Sequence, residues 1–278
     1  MKISNIRAED WKMDGGAGFG LIPKTIWNKL YPADENNCIL MSSRLMLIEQ
    51  DDKKILIDTG MGSKRGDKYY KYKYIQTTNS LSKSLAEANI KPEEITDVII
   101  THLHDDHIGG ATYYDGEEAK LYFPNATHWI SKAQWDWAME PNKREAGSYF
   151  EDNFMPIKKA GKLKLVEKEG DYIPNIEFRI YNGHTVGNIV PIITYKGKQI
   201  AYMGDFIPYV ASIPLPYISA NDIQPLISLF EKESFLNIAA VKGIYLYFQH
   251  DYYNELCTVE KSSKRVVLKQ TYLLKDIL

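Results

Sequence analysis

Thr101-His102-Leu103-His104-Asp105-Asp106-His107-Ile108-Gly109-Gly110 is the stretch that decides the reading of this chain. Three histidines and two carboxylates fall within six residues, directly after the apolar run Val98-Ile99-Ile100. That run is short, β-branched and bounded by polar residues, the pattern of a buried strand. The polar cluster therefore sits where a strand passes into a loop, a usual address for a site in an α/β protein. In an extended segment His102 and His104 project to the same side, so both can reach one metal ion. Asp106 and His107 follow on a turn and can face a neighbouring position. Imidazole nitrogens and carboxylate oxygens suit a borderline dication such as Zn2+. A single histidine here would read as an ordinary hydrogen-bonded residue; the spacing carries the argument.

Four other segments bear on the same chemistry. Upstream, Ile55-Leu56-Ile57-Asp58-Thr59-Gly60 reads as a strand ending in Asp-Thr-Gly. Downstream come Gly183-His184-Thr185-Val186-Gly187, then Gly204-Asp205, then Phe248-Gln249-His250-Asp251. The central stretch resembles the HxHxDH motif of the metallo-β-lactamase superfamily, and the other segments follow in that family's order. Five of the six histidines are thereby used, leaving only His128, which has no partner spacing and reads as structural.

The resemblance implies an α/β fold, a four-layer αβ/βα sandwich with a metal site at the edge between two mixed β-sheets. It implies two divalent metal ions, Zn2+ first, with Mn2+, Fe2+ or Co2+ open according to supply. By resemblance His102, His104 and His184 hold the first ion, Asp106, His107 and His250 the second, and Asp205 bridges both. Asp106 and Asp58 enter as catalytic candidates, Asp58 by orienting a ligand histidine from behind. Three imidazoles leave a position open for water, as a catalytic site requires. Two ions sharing an oxygen lower its pKa, so a metal-bridging hydroxide is expected to cleave a small ester, lactone or organophosphate.

Departures within the superfamily narrow the reading. Two-zinc β-lactamases often use a cysteine ligand where this chain offers Asp205, and the few residues after His250 do not resemble the helical C-terminal part of glyoxalase II-like members. The run Gly204-Asp205-Phe206-Ile207-Pro208-Tyr209 looks most like the branch of quorum-quenching lactonases and methyl-parathion hydrolases. Many lactonases of that branch carry a tyrosine three positions after the bridging aspartate. Here Pro208 stands at that position and Tyr209 follows, so Tyr209 is the candidate to assist the oxyanion. The same branch covers its site from the N-terminal side, which makes Phe19, Ile22 and Trp27 candidate substrate-binding residues within a glycine-rich segment. The alternatives are β-lactamase-like amide hydrolysis, a mononuclear iron thiol dioxygenase and a nuclease. A filled second site argues against the dioxygenase, and the lack of a basic face against the nuclease.

Composition sets the outer bounds. The chain has 278 residues, 32.0 kDa and a formal net charge of −2, which gives no electrostatic reason to expect nucleic acid. No apolar run approaches the ~20 residues needed to span a bilayer, so no membrane role is expected. The first ten residues lack the apolar core of a signal peptide, which points to the cytoplasm. Cys38 and Cys257 are too few for a disulfide framework. One domain over residues 1–278 is the economical reading, with 1–37 an N-terminal segment and loop over the active site. A small-molecule substrate is expected, and a homodimer is open.

Along the chain, residues 38–50 and 54–58 read as a hairpin around Asp51-Asp52-Lys53-Lys54. The Lys/Tyr alternation of residues 64–74 reads as a solvated loop or dimer contact. Asn79-Ser80 caps a helix carrying Leu81, Leu85 and Ala88. Leu121-Tyr122-Phe123 and Thr127-His128-Trp129-Ile130 suggest a strand pair, and Ser131 a cap for a helix with Trp135. Residues 163–202 are strand-rich. A helix is expected to start near Asn221-Asp222, with a strand over Ile244–Phe248 and a terminal strand near Val266–Leu268.

Overall fold

A computed structural model describes residues 1–76 and 80–278. Described residues fall into two compact units, Met1–Trp11 with Ser42–Lys168 and Lys12–Met41 with Glu169–Leu278. In chain order the strands are β1 Lys2–Asp14, β2 Cys38–Gln50, β3 Lys53–Ile57, β4 Asp97–Ile99, β5 Thr112–Asp115, β6 Glu118–Leu121, β7 Thr127–Ser131, β8 Leu163–Val166, β9 Gly170–Ile173, β10 Ile176–Tyr181, β11 Asn188–Tyr195, β12 Lys198–Tyr202, β13 Tyr245–Tyr247, β14 Leu256–Ser262 and β15 Arg265–Tyr272. The helices are α1 Gly15–Phe19, α2 Lys24–Trp27, α3 Asp67–Lys71, α4 Leu81–Glu87, α5 Asp105–Ile108, α6 Lys132–Met139, α7 Glu151–Lys159 and α8 Pro225–Lys242.

The first unit is built on a sheet of order β1-β2-β3-β4-β7-β8. The expected hairpin forms, with Leu47 opposite Leu56 and a turn in which Asp51 takes φ +52°, a conformation aspartate tolerates. β3, β4, β7 and β8 then run parallel. One face sends Leu45, Leu47, Leu56, Val98 and Ile130 into a cluster with Leu85, Trp135, Phe154 and Ile157 of the covering helices. Full burial of a Leu, Ile or Phe side chain there contributes about 1.5–3 kcal/mol. On the opposite face Met46, Ile48, Ile55, Ile57 and Ile99 are buried too. Burial on both faces is why Ile55-Leu56-Ile57 of β3 and Val98-Ile99 of β4 read as unbroken apolar runs.

Helix starts follow the caps. Ser80 Oγ accepts from Lys83 N at 3.2 Å, and Ser131 Oγ from Gln134 N at 3.0 Å. Asn79, paired with Ser80 in the sequence reading, lies outside the described residues.

Two expectations need correction. Leu121–Phe123 does not pair with Thr127–Ile130. Instead β6 forms a hairpin with β5, and β7 enters the main sheet between β4 and β8. Pro124 has no N–H for a ladder, and a turn closed by Ala126 N on Phe123 O redirects the chain. Nor is the start of the 64–74 stretch simply solvated. Lys64 Nζ donates to Thr112 O at 2.9 Å and to Gly109 O, and burial pushes its ammonium down to about 8. Arg65 pairs with Asp152 and lies 4.0 Å from the Phe150 ring centroid.

The second unit carries a sheet of order β15-β14-β13-β12-β11-β10-β9, antiparallel except for the β12–β13 pair. Val190, Ile192, Ala201, Leu246 and Val259 pack against Phe235, Leu236 and Ala239 of α8. That helix begins at Pro225, later than expected, because proline is suited to the first helical position and Asp222 is engaged elsewhere.

The glycine run is also more regular than expected. Asp14 Oδ1 accepts from Ala17 N at 2.9 Å and starts α1. Gly15 lies under the Trp27 ring, where a Cβ would fall 2.3 Å from Cη2. No helix among the described residues is long and apolar enough to cross a membrane.

Candidate metal centre

In the first unit the donors hang on two strand ends. β3 stops at Ile57, and Asp58 turns into φ +58° while its N–H donates to Ile99 O at 2.9 Å. This fully buried carboxylate accepts from Thr101 N and Thr101 Oγ1, each at 2.8 Å, and lies 2.9 Å from His107 Nδ1. Thr59 N in turn donates to His107 O at 2.7 Å. The Asp-Thr-Gly strand end thus grips the histidine stretch at both ends of its turn.

α5 places Asp106 and His107 one after the other beyond His104. His102 Nε2 and His104 Nδ1 stand 3.0 Å apart, with His102 Nδ1 3.1 Å from Thr101 Oγ1. His104 Nε2 lies 2.9 Å from Glu145 Oε1, and Asp106 Oδ1 lies 3.8 Å from His107 Nε2. His102 and His107 are fully buried, while Asp106 is partly exposed. Each of these histidines therefore has a nitrogen against an oxygen, and the other nitrogens of His102 and His104 face each other.

Asp105, the carboxylate left out of the ligand set, is pushed well above the usual carboxyl range by burial and by its neighbour Asp106.

In the second unit three donors come from three separate loops. Asp205 follows β12, His250 follows β13, and His184 precedes β11. The two oxygens of Asp205 face different histidines, Oδ2 lying 3.1 Å from His184 Nε2 and Oδ1 2.8 Å from His250 Nε2. Asp222 Oδ1 stands 2.9 Å from the other nitrogen of His184. Burial opposes charge on His184, but Asp205 and Asp222 outweigh it and push the imidazole up to about 10. Such a pocket seeks a cation, whether a proton or a metal.

The start of α8 holds the His184 loop. Glu231 accepts from Asn182 N and Gly183 N, and Gln224 N and Ile223 N donate to Gly183 O and His184 O. A Cβ on Gly183 would lie 2.4 Å from the backbone of Ser228, so only glycine permits this approach.

The remaining candidates sit together in the second unit. Phe19 stacks on Trp27 with centroids 5.0 Å apart, and lies 5.6 Å from Tyr209 and 6.3 Å from Tyr217. Phe19, Trp27 and Tyr209 are buried, whereas Ile22 is partly exposed. The Tyr209 hydroxyl lies 3.5 Å from Met13 Sδ, and Asp251 Oδ2 accepts from Val210 N at 2.9 Å, which links the His250 loop to the Tyr209 segment. Lys232 secures the same segment by donating to Pro214 O and Tyr217 O, both at 2.9 Å, and to Ser212 O. The sequence reading passed over Glu145, Asp222, Glu231 and Lys232. Only Asp222, adjacent to the expected helix start, lay within a segment it had marked.

His128 lies fully buried in β7, and burial lowers its imidazole to about 4.

The family model of the metallo-β-lactamase superfamily matches residues 41–250, which takes in every one of these donors. The chain belongs to that superfamily. No curated protein matches it. Among solved structures, a probable metal-dependent hydrolase from Staphylococcus aureus is 29% identical, with 98% of each chain covered and a TM-score of 0.88. AidC, a dizinc quorum-quenching lactonase in complex with a product, N-hexanoyl-L-homoserine, is 22% identical over 98% of this chain and 95% of its own, with a TM-score of 0.79. The hydrolase AbOPH, of the β-lactamase superfamily, is 21% identical over 98% and 94%, with a TM-score of 0.80. The mixed α/β architecture is that of the metallo-β-lactamase fold, and its neighbours place the chain among the hydrolases.

Proposed function

We propose that the protein is a dinuclear metal-dependent hydrolase of a small ester, lactone or organophosphate. The observation that carries the reading is the pair of contacts at Asp205, one carboxylate oxygen on each of two histidines. A carboxylate so disposed suits two cations better than one. In this reading His102, His104 and His184 hold one ion, Asp106, His107 and His250 the other, and Asp205 both. The donor set fits such ions: nitrogen and oxygen ligands, with the rear nitrogens of His102, His107 and His184 already tied to Thr101, Asp58 and Asp222. When bound, two divalent ions, of which zinc is our first choice, would supply hydroxide near neutral pH and polarise the scissile bond.

The protein's own groups would do the rest. Asp58 and Asp222 keep His107 and His184 in the tautomer that turns Nε2 inward. Asp106, partly exposed, would carry protons between the site and solvent. Tyr209 would order the loop that meets substrate. Phe19, being buried, would act through the tyrosines it packs and Trp27 through Phe19, and Ile22 is the partly exposed residue of that segment that would touch a ligand. The named activity of AidC favours lactones within the proposed range.

Metal analysis should give two ions per chain. A panel of lactones, aryl esters, phosphotriesters and β-lactams, assayed on zinc-loaded protein, should show turnover in the first three classes. One iron per chain, or turnover of β-lactams alone, would overturn the proposal.

A further inference from the structure

We infer that Glu145 is the positioning residue of His104, fixing which of its ring nitrogens meets a metal. The inference rests on the reading of His104 as a ligand, but it draws on a part of the first unit outside the sequence motifs. Glu145 lies on the turn between α6 and α7, 41 residues beyond His104, and is 4% exposed. Its Oε1 stands 2.9 Å from His104 Nε2 and also accepts from the Tyr149 hydroxyl. Its Oε2 accepts from Trp137 Nε1 at 2.7 Å and from Asn142 Nδ2 at 3.1 Å. An indole N–H can only donate, and so can an amide NH2. A carboxylate surrounded in this way is wanted as an acceptor on both oxygens, so the proton shared with His104 belongs on the imidazole. That places N–H at Nε2 and the lone pair at Nδ1, the atom 3.0 Å from His102 Nε2.

His104 is thus held from the opposite side to its fellows. His102, His107 and His184 are each tied through Nδ1, to Thr101, Asp58 and Asp222 respectively. His104 is tied through Nε2. Nδ1 lies next to the ring carbon that carries Cβ, so a ring that presents this atom to a metal would have little freedom in orientation. A fixed partner at Nε2 is what would hold the ring at that angle. The Tyr149 ring, 5.2 Å from the His104 ring at an interplanar angle of 49°, adds a second wall. Asn142 braces the turn itself, its Oδ1 accepting from Arg144 N at 2.9 Å and Glu145 N at 3.2 Å.

The test uses the full chain with zinc as the probe. Imidazole nitrogen NMR on the zinc-loaded wild type should show His104 protonated at Nε2 and metal-bound at Nδ1. The reverse assignment would overturn the inference without any variant. Chelator competition on Glu145→Gln should show one zinc bound 10- to 100-fold more weakly, with Glu145→Asp recovering part of the loss. Unchanged affinity in Glu145→Gln would also overturn it. His104→Ala separates the two readings. If it too retains both zincs at full affinity, His104 is not a ligand and the assignment of the first ion's ligand set in the proposed function fails. If it loses a zinc while Glu145→Gln does not, only the role of Glu145 falls.

Discussion

The donors of the first unit are packed into one turn, whereas those of the second are spread over three loops between His184 and His250. In the first, His102 to His107 are set by the geometry of a strand end and a single helical turn, and Asp58 reaches back to lock them. In the second, nothing local places His184, Asp205 and His250 near one another. The β12–β13 pairing brings two of those loops side by side, and α8 with the residues just before it fastens the third through Glu231, Gln224 and Asp222. The comparison teaches that one set is specified by spacing and the other by tertiary structure. Damage should therefore spread differently in the two.

The largest effect is expected where the second unit's contacts meet. Asp205→Ala removes the carboxylate that faces Nε2 of both His184 and His250. Loss of several kcal/mol of transition-state stabilisation, on the order of 10^3-fold in rate, should accompany loss of bound metal. His250→Ala should weaken one ion alone. Metal content per chain measures both, and two full equivalents retained in Asp205→Ala would break the bridging assignment.

Trp27 tests whether the aromatic segment of the second unit is wall or foundation. With the ring buried and stacked on Phe19, Trp27→Ala should cost about 3–5 kcal/mol in urea unfolding. Ile22→Ala, at a partly exposed position, should shift KM and leave stability alone. Equal stability in Trp27→Ala with a raised KM would return Trp27 to direct substrate contact.

The first unit's spare histidine offers a cleaner contrast. Burial depresses His128 to about 4, from an ordinary value near 6.5. Between those values the unfolded chain binds a proton that the folded chain refuses. The native state therefore loses stability as pH falls through this window, and regains it above 6.5. The 2.5-unit gap corresponds to about 3 kcal/mol. Because burial also raises Glu9 to about 7, with the opposite sign in the same window, the slope is read as the difference between wild type and His128→Leu in urea titrations from pH 4 to 7. An unchanged slope would place the titration elsewhere.

How much was legible follows the same division. Motif order picked out His102, His104, Asp106 and His107 because local geometry alone brings them together. The resemblance also singled out Asp58, His184, Asp205 and His250 by the order of their segments, but their partners lay out of reach. Asp222 was read as the start of a helix, although it faces His184 and the helix begins at Pro225. Glu145 and Lys232 carry no motif and gain meaning only from what the fold places beside them. The segment after Asp14 misled for a physical reason. Glycines weaken a helix in isolation, but here an aspartate cap and a close-packed tryptophan compensate.

The finest distinction between the units lies in the carboxylates behind the histidines. Asp58→Asn and Asp222→Asn each replace an acceptor with an amide that can present N–H to imidazole Nδ1. Each should reduce zinc affinity 10- to 100-fold by disturbing the tautomer. The two should differ in stability. Asp58 also accepts from Thr101 N and Thr101 Oγ1 in a fully buried pocket. An amide there must leave a donor facing a donor or lose one of these bonds, at about 1–3 kcal/mol. Asparagine tolerates the φ of +58°, so the backbone itself should not object. Asp222 has His184 as its buried imidazole partner, and Asp222→Asn should leave the unfolding midpoint close to wild type. Chelator competition and thermal unfolding on the same two variants decide the matter. Equal losses of stability would mean that the second unit's loops are as tightly interlocked as the first unit's turn, and the contrast between them would be wrong.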